Sequence, residues 1–158
     1  MSAEYAAGPQ TIPAGGSVVF NFAPVPCNQG LIYHREGSGL FRLASPEAMG
    51  SRCRRQCCCG GFLNANYVVD FHGNIGLAEG GAAGPLSLAI YVDGEEDLSS
   101  EMIVQAAEAG DYYNVGASVI VQVPCICRCS TLSVRNTSDQ EISLNNANLV
   151  FGGVKVRF

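Results

Sequence analysis

The chain has 158 residues, of which 47% are apolar and 15% charged, so it holds enough material for one domain with a buried core and is not intrinsically disordered. A formal charge of −5 argues against a nucleic-acid coat or a membrane-surface binder. No apolar run reaches the roughly 20 residues that span a bilayer, and nineteen glycines show no G-X-Y period.

The N-terminus, Met1-Ser2-Ala3-Glu4-Tyr5, has neither a basic region nor an apolar stretch, so no signal peptide is visible. Residues 1–16 are expected to form an arm, of which Met1 to Gln10 can lace onto a neighbouring molecule. The rest, 17–158, reads as a single domain. The turn Ile12-Pro13-Ala14-Gly15-Gly16 introduces a strand over Ser17–Phe22, and Gly30–Arg35 with Gly39–Leu43 makes a hairpin around Glu36-Gly37-Ser38. Residues 45–61 carry Pro46, Gly50 and a cysteine cluster and read as a long loop that needs a staple.

From Ala65 to Leu77 the odd positions are mostly apolar (Tyr67, Val69, Phe71, Ile75) and the even ones largely polar (Asn66, Asp70, His72, Asn74). This period of two is a half-buried strand. Leu86, Leu88, Ile90 and Val92 repeat the pattern, as do Val115, Val119, Val121 and Val123 before Pro124. Ser99–Ala109 admits a helix, although Met102-Ile103-Val104 suits a strand equally. Leu132 and Val134 flank Ser133 ahead of the turn Asn136-Thr137-Ser138-Asp139. Ile142 and Leu144 open a strand whose inward face switches near Asn145-Asn146, as a β-bulge causes. Ala147 to Phe158 is interrupted by Gly152-Gly153 and reads as one kinked strand or two short ones. The sum is an all-β chain of nine or ten strands with turns about every 8 to 12 residues, the pattern of a sandwich or jelly roll.

Eight cysteines fall in two clusters and one singleton: Cys53, Cys57, Cys58 and Cys59; Cys125, Cys127 and Cys129; and Cys27. The even count favours disulfides within or between chains, although a structural zinc site or buried free thiols also accommodate these residues. Disulfides in a chain without a visible export signal fit a protein released by lysis, such as a virion component. Charge is also segregated. Residues 35–55 hold Arg35, Arg42, Arg52, Arg54 and Arg55, while residues 79–111 hold eight carboxylates and no basic residue. Such a split can steer one surface onto another.

Recognisable catalytic motifs are missing. His34 and His72 are the only histidines, and neither sits in a motif with a nucleophile. Asp70 and His72 share one strand face, and a pairing of Cys27 with a histidine is conceivable, but the expectation is a non-enzyme without a cofactor. Asp93, Glu95 and Asp97 form a weak calcium candidate without EF-hand spacing. Asn136-Thr137-Ser138 fits a glycosylation acceptor.

Taken in order, Tyr67-Val-Val-Asp-Phe-His-Gly-Asn-Ile, Gly84-Pro-Leu-Ser-Leu-Ala-Ile-Tyr-Val-Asp-Gly, Tyr112-Tyr-Asn-Val, Val134-Arg-Asn-Thr-Ser and Asn146-Ala-Asn-Leu-Val-Phe form a recognisable series. It resembles the tumour-necrosis-factor and complement-head-like jelly rolls of bacteria and phages. The series is closest to the C-terminal domain of collagen-like exosporium glycoproteins and to small cysteine-rich proteins of gut Firmicutes phages. The resemblance covers residues 62–151, and Ile12-Pro-Ala-Gly-Gly-Ser-Val-Val-Phe resembles the phage group. It implies a ten-stranded jelly roll that trimerises around a three-fold axis, with Tyr67, Tyr91, Tyr112, Tyr113 and Phe151 as interface candidates. The expected role is a structural surface protein, a capsid decoration or head fibre exposed after lysis. Its partners would be further copies of itself and a capsid or other surface lattice, not nucleic acid or membrane. A spore-surface or appendage subunit linked by intermolecular disulfides, or a receptor- or glycan-binding trimer, are the alternatives.

Overall fold

The computed structural model describes residues 2–6, 8–25, 31–44, 65–123 and 129–156. They form twelve strands: β1 (Ser2–Ala6), β2 (Gln10–Ile12), β3 (Phe22–Val25), β4 (Ile32–His34), β5 (Phe41–Leu43), β6 (Ala65–Leu77), β7 (Gly84–Val92), β8 (Glu95–Glu96), β9 (Met102–Ala106), β10 (Tyr112–Val123), β11 (Ser130–Asn136) and β12 (Ile142–Val156). A 3-10 turn, Leu98–Ser100, precedes β9 and is capped by the Asp97 carboxylate. Among the described residues no helix is long and apolar enough to cross a membrane.

Two antiparallel sheets face each other. The first runs β10-β6-β12-β1-β3, with β2 also on β12; the second runs β4-β5-β11-β7-β8, with β9 also on β7. Consecutive long strands cross from one sheet to the other, so both sheets are completed by distant parts of the chain. That is a jelly-roll sandwich. The cysteine-rich loop at 45–61 lies outside the described residues.

The period-two reading of β6 holds. Its odd positions are buried and most even ones reach solvent, so Tyr67, Val69, Phe71 and Ile75 enter the core. On β10, Val115, Val119, Val121 and Val123 do the same. The second sheet supplies Leu86, Leu88, Ile90, Leu132 and Val134 from the facing side. β7 is buried on both faces from Leu86 to Ile90.

β12 contains the expected bulge. Its register against β6 slips between Asn145 and Asn148, and Asn146 adopts φ 53°. One extra residue there turns the inward set from Ile142 and Leu144 to Ala147, Leu149 and Phe151. The second slip, between Gly152 and Lys155, makes the C-terminal stretch one kinked strand.

The N-terminal segment differs from a free arm. β1 pairs with both β12 and β3, and β2 pairs with β12, so this segment belongs to the chain's own first sheet. Ser17–Phe22 makes two isolated bridges, Ser17 to Arg135 and Phe20 to Ser38, in place of a continuous strand. The 36–38 hairpin turns on Gly37 at φ 76°. The segment 99–109 resolves to the 3-10 turn and β9, its β-branched residues lying along β7.

Candidate interaction face

The outward side of the first sheet is a continuous surface set by register. Across β10, β6 and β12 the aligned rows are Ile120, Val68 and Gly152; Ser118, Asp70 and Val150; Gly116, His72 and Asn148; and Asn114, Asn74 and Asn145. Tyr112, Gly76 and Ser143 form a further row. Amides tie β10 to β6 within rows: Asn114 Nδ2 donates to Asn74 Oδ1 and, in the next row beyond Ile120 and Val68, Gln122 Nε2 to Asn66 Oδ1, both at 3.3 Å. The hydroxyls of Tyr112 and Ser143 are 2.8 Å apart, and Tyr5 Oη donates to Asn146 Oδ1 at 2.8 Å.

Two properties set this face apart. Ile120 is 72% exposed, beside Val68 at 37%, and Phe22 and Val25 are exposed on β3. Among the described side chains that β10, β6 and β12 turn outward, Asp70 is the only carboxylate and there is no lysine or arginine. Asp70 and His72 share this face without forming an ion pair; Glu4–His34 is the ion-pair contact among the described residues.

Chemistry-bearing residues elsewhere have structural uses. Asp93, at φ 53°, accepts from the Thr131 amide at 2.7 Å, and Asp97 Oδ1 accepts from the amide and hydroxyl of Ser99 at 3.0 and 2.6 Å. Glu95 is exposed. Among the described residues no three His, Cys, Asp or Glu side chains converge to hold a metal. Cys129 is exposed with a free thiol; Cys27, Cys53, Cys57, Cys58, Cys59, Cys125 and Cys127 lie outside the described residues. Asn136, first residue of the glycosylation-type triplet, is 1% exposed and donates both amide hydrogens, to Ile12 O and Gln140 O.

The five aromatic candidates separate by position. Tyr67 and Phe151, each 1% exposed, belong to the core of the single chain, and the Tyr67 hydroxyl donates to the Ala44 carbonyl. They sit on the apolar side of the alternation, which is the side that packs on the opposite sheet. Tyr113 packs partly against that core. Tyr91 lies on the outer side of the second sheet beneath the Arg135 guanidinium, 4.7 Å from the ring centroid. Burial, and then the Glu96 carboxylate that accepts its proton at 3.2 Å, push the Tyr91 phenol above its ordinary range. Tyr112 alone of the five lies on the interaction face. Val68, Ile120 and the amide pairs were passed over in the sequence. Their signal was the set of even positions in 65–77 and 112–123 that, Asp70 apart, carry no carboxylate, lysine or arginine although they face outward.

No family model and no curated protein matches the chain. Among solved structures it is similar to the globular domain of zebrafish complement 1qA protein, with a TM-score of 0.57, 10% identity and 98% of each chain covered. The fold is a C1q-like jelly roll. At that identity the likeness is one of fold alone. CBM35 from Paenibacillus barcinonensis aligns over 97% of this chain and 99% of its own at 15% identity, but its TM-score of 0.33 carries no argument.

Proposed function

We propose that this protein is a non-enzymatic structural surface protein whose three copies meet through the outward face of β10, β6 and β12. The carrying observation is the scarcity of charge among the described side chains of that face, where Asp70 is the sole carboxylate around exposed Ile120 and Val68. A sheet side that meets water normally carries mixed charges, whereas the centre of a covered interface is depleted in charge and retains amides, aromatics and apolar groups. Three copies, in place of two, follow from the jelly-roll resemblance in the sequence.

The setting is a phage virion, with the protein as a capsid decoration or head fibre. Resemblance of the Ile12–Phe20 segment to the phage group supports this, as do clustered cysteines suited to stapling loops or subunits outside the cell. The acidic stretch 79–111 and the arginine-rich stretch 35–55 carry opposite charge, which suits docking on a lattice.

Native mass spectrometry with and without reductant tests the assembly. The expected species is a trimer that Ile120→Asp converts to monomer, because three carboxylates cannot be buried unpaired. A wild-type monomer would sink the reading. Purified virions from producing cells should contain the chain in fixed ratio to the capsid protein, and its absence from them would remove the virion setting.

A further inference from the structure

The carboxyl of Glu4 has no place in the interaction face. It is carried by β1 but turned inward, opposite Leu149 of β12, and the residue is 5% exposed. Its Oε2 is buried without an aligned hydrogen-bond donor among the described residues. The nearest group is Nδ1 of His34, 3.2 Å away on β4 in the other sheet. The contact therefore spans the sandwich and ties the first described strand to the opposite layer.

His34 is held from three sides. Its ring stacks on Phe41 with centroids 4.2 Å apart, and it meets Phe20 edge-on at 6.5 Å. Nε2 lies 2.9 Å from the Ser38 carbonyl oxygen. A carbonyl only accepts, so Nε2 carries a hydrogen. A neutral imidazole has one N–H, which would leave Nδ1 presenting a lone pair to Oε2. Two buried lone pairs at that distance repel. The contact is attractive only with a proton between them, on Nδ1 as imidazolium or on Oε2 as carboxylic acid. The docked pair thus retains a proton.

The remaining charges nearby are few. Glu36, in the β4–β5 turn, acts on Glu4; Arg35 and Arg42 of the same hairpin are exposed; β3 has no titratable residue. Burial pushes the Glu4 carboxyl above its ordinary value, His34 opposes that rise and Glu36 adds to it. Retention of the proton inside the sandwich follows from the same geometry.

We infer that Glu4 and His34 form a proton-operated latch on strand β1, closed while a proton lies in the pair and loosened when that proton is lost. Once β1 is released, the Glu4 carboxyl regains the ordinary glutamate value of about 4.3. Docking raises that value, so the latch is fully closed below about pH 4.3 and its hold is lost as pH rises through the higher value of the docked carboxyl.

Amide hydrogen exchange across β1, corrected for the intrinsic pH dependence of exchange, reads this directly, with the centre of β6 as an internal reference. Wild-type protection of Tyr5 and Ala6 is expected to fall by up to about tenfold per unit as pH rises above about 4.3, and to level off once the docked carboxyl is ionised. In Glu4→Gln the amide donates to Nδ1 of neutral His34. The fall with rising pH then disappears, because position 4 no longer carries a titratable carboxyl. A flat wild-type profile in β1 overturns the latch, and it does so without the variant should Glu4→Gln not fold. A Glu4→Gln profile that parallels wild type overturns it equally.

Discussion

Gly116 on β10 lies directly beneath the His72 ring of β6: a Cβ at position 116 would stand 2.5 Å from His72 Nδ1 and 3.0 Å from Cε1. The ring rests where a side chain would otherwise project, which keeps the centre of the outward face flat. Gly116→Ala is therefore expected to displace the ring more than the backbone. Stability should fall by no more than about 1 kcal/mol in denaturant unfolding, while trimer dissociation measured by analytical ultracentrifugation should increase at least tenfold.

Gly76, three residues beyond Gly73 on β6, makes the opposite case. A Cβ there would collide with the Asp111 carbonyl oxygen, which cannot rotate away. Gly76→Ala should destabilise by about 1–3 kcal/mol through forced backbone shifts. A loss as small as that of Gly116→Ala would show that the β9–β10 turn yields.

Phe41 joins three aromatic neighbours: His34, Phe20 with centroids 5.4 Å apart, and Phe151 at 5.2 Å. All but His34 are fully buried. Phe41→Ala leaves a void at their meeting point and should cost about 3–5 kcal/mol. The urea midpoint measures it. The β1 exchange profile should also lose its pH dependence, because the His34 ring loses the surface it stacks on.

Asn136 holds the β11–β12 turn to β2 through Ile12 O and Gln140 O, at 3.0 and 2.8 Å, and accepts from the Ser138 amide at 2.9 Å. Asn136→Ala orphans two carbonyls and an amide and should cost about 1–3 kcal/mol. Secretion from a glycosylating host should add no glycan mass at Asn136, since the acceptor nitrogen is engaged in the interior. Intact mass analysis decides the point.

Adjacent cysteines pair poorly with one another, so a disulfide at Cys57 or Cys58 takes its partner from elsewhere in the chain or from another copy. Cys57→Ser with Cys58→Ser should lower the Tm only under oxidising conditions. An equal loss with reductant present would exclude disulfides as their role.

Where one physical signal determined the answer, the sequence was legible. Alternation in 65–77 located β6, and a change of phase at Asn145-Asn146 located the bulge because side-chain direction has a strict period of two. The hairpin at Glu36-Gly37-Ser38 was marked by the glycine its turn requires. β1 and β2 were not legible, since three to five residues carry too little periodicity and their stability comes from β12, more than a hundred residues away. Tyr67 was assigned to an interface although it shares its face with Val69 and Phe71; a polar tip on a long ring suits a surface, but its hydroxyl finds the Ala44 carbonyl inside. Glu4 meeting His34 had no sequence signal at all, because the contact crosses between sheets.

The two strands that join each sheet into a whole are the last two made. β12 lies between β6 and β1, and β11 between β5 and β7. Until both have left the ribosome, the earlier strands have open edges and no facing layer, so the sandwich cannot be built piecemeal during translation. Any nascent chain stalled short of β12 has β1 and β6 waiting for the same missing neighbour. Folding of this sandwich therefore waits for β12, with a correspondingly long window in which holding chaperones are needed.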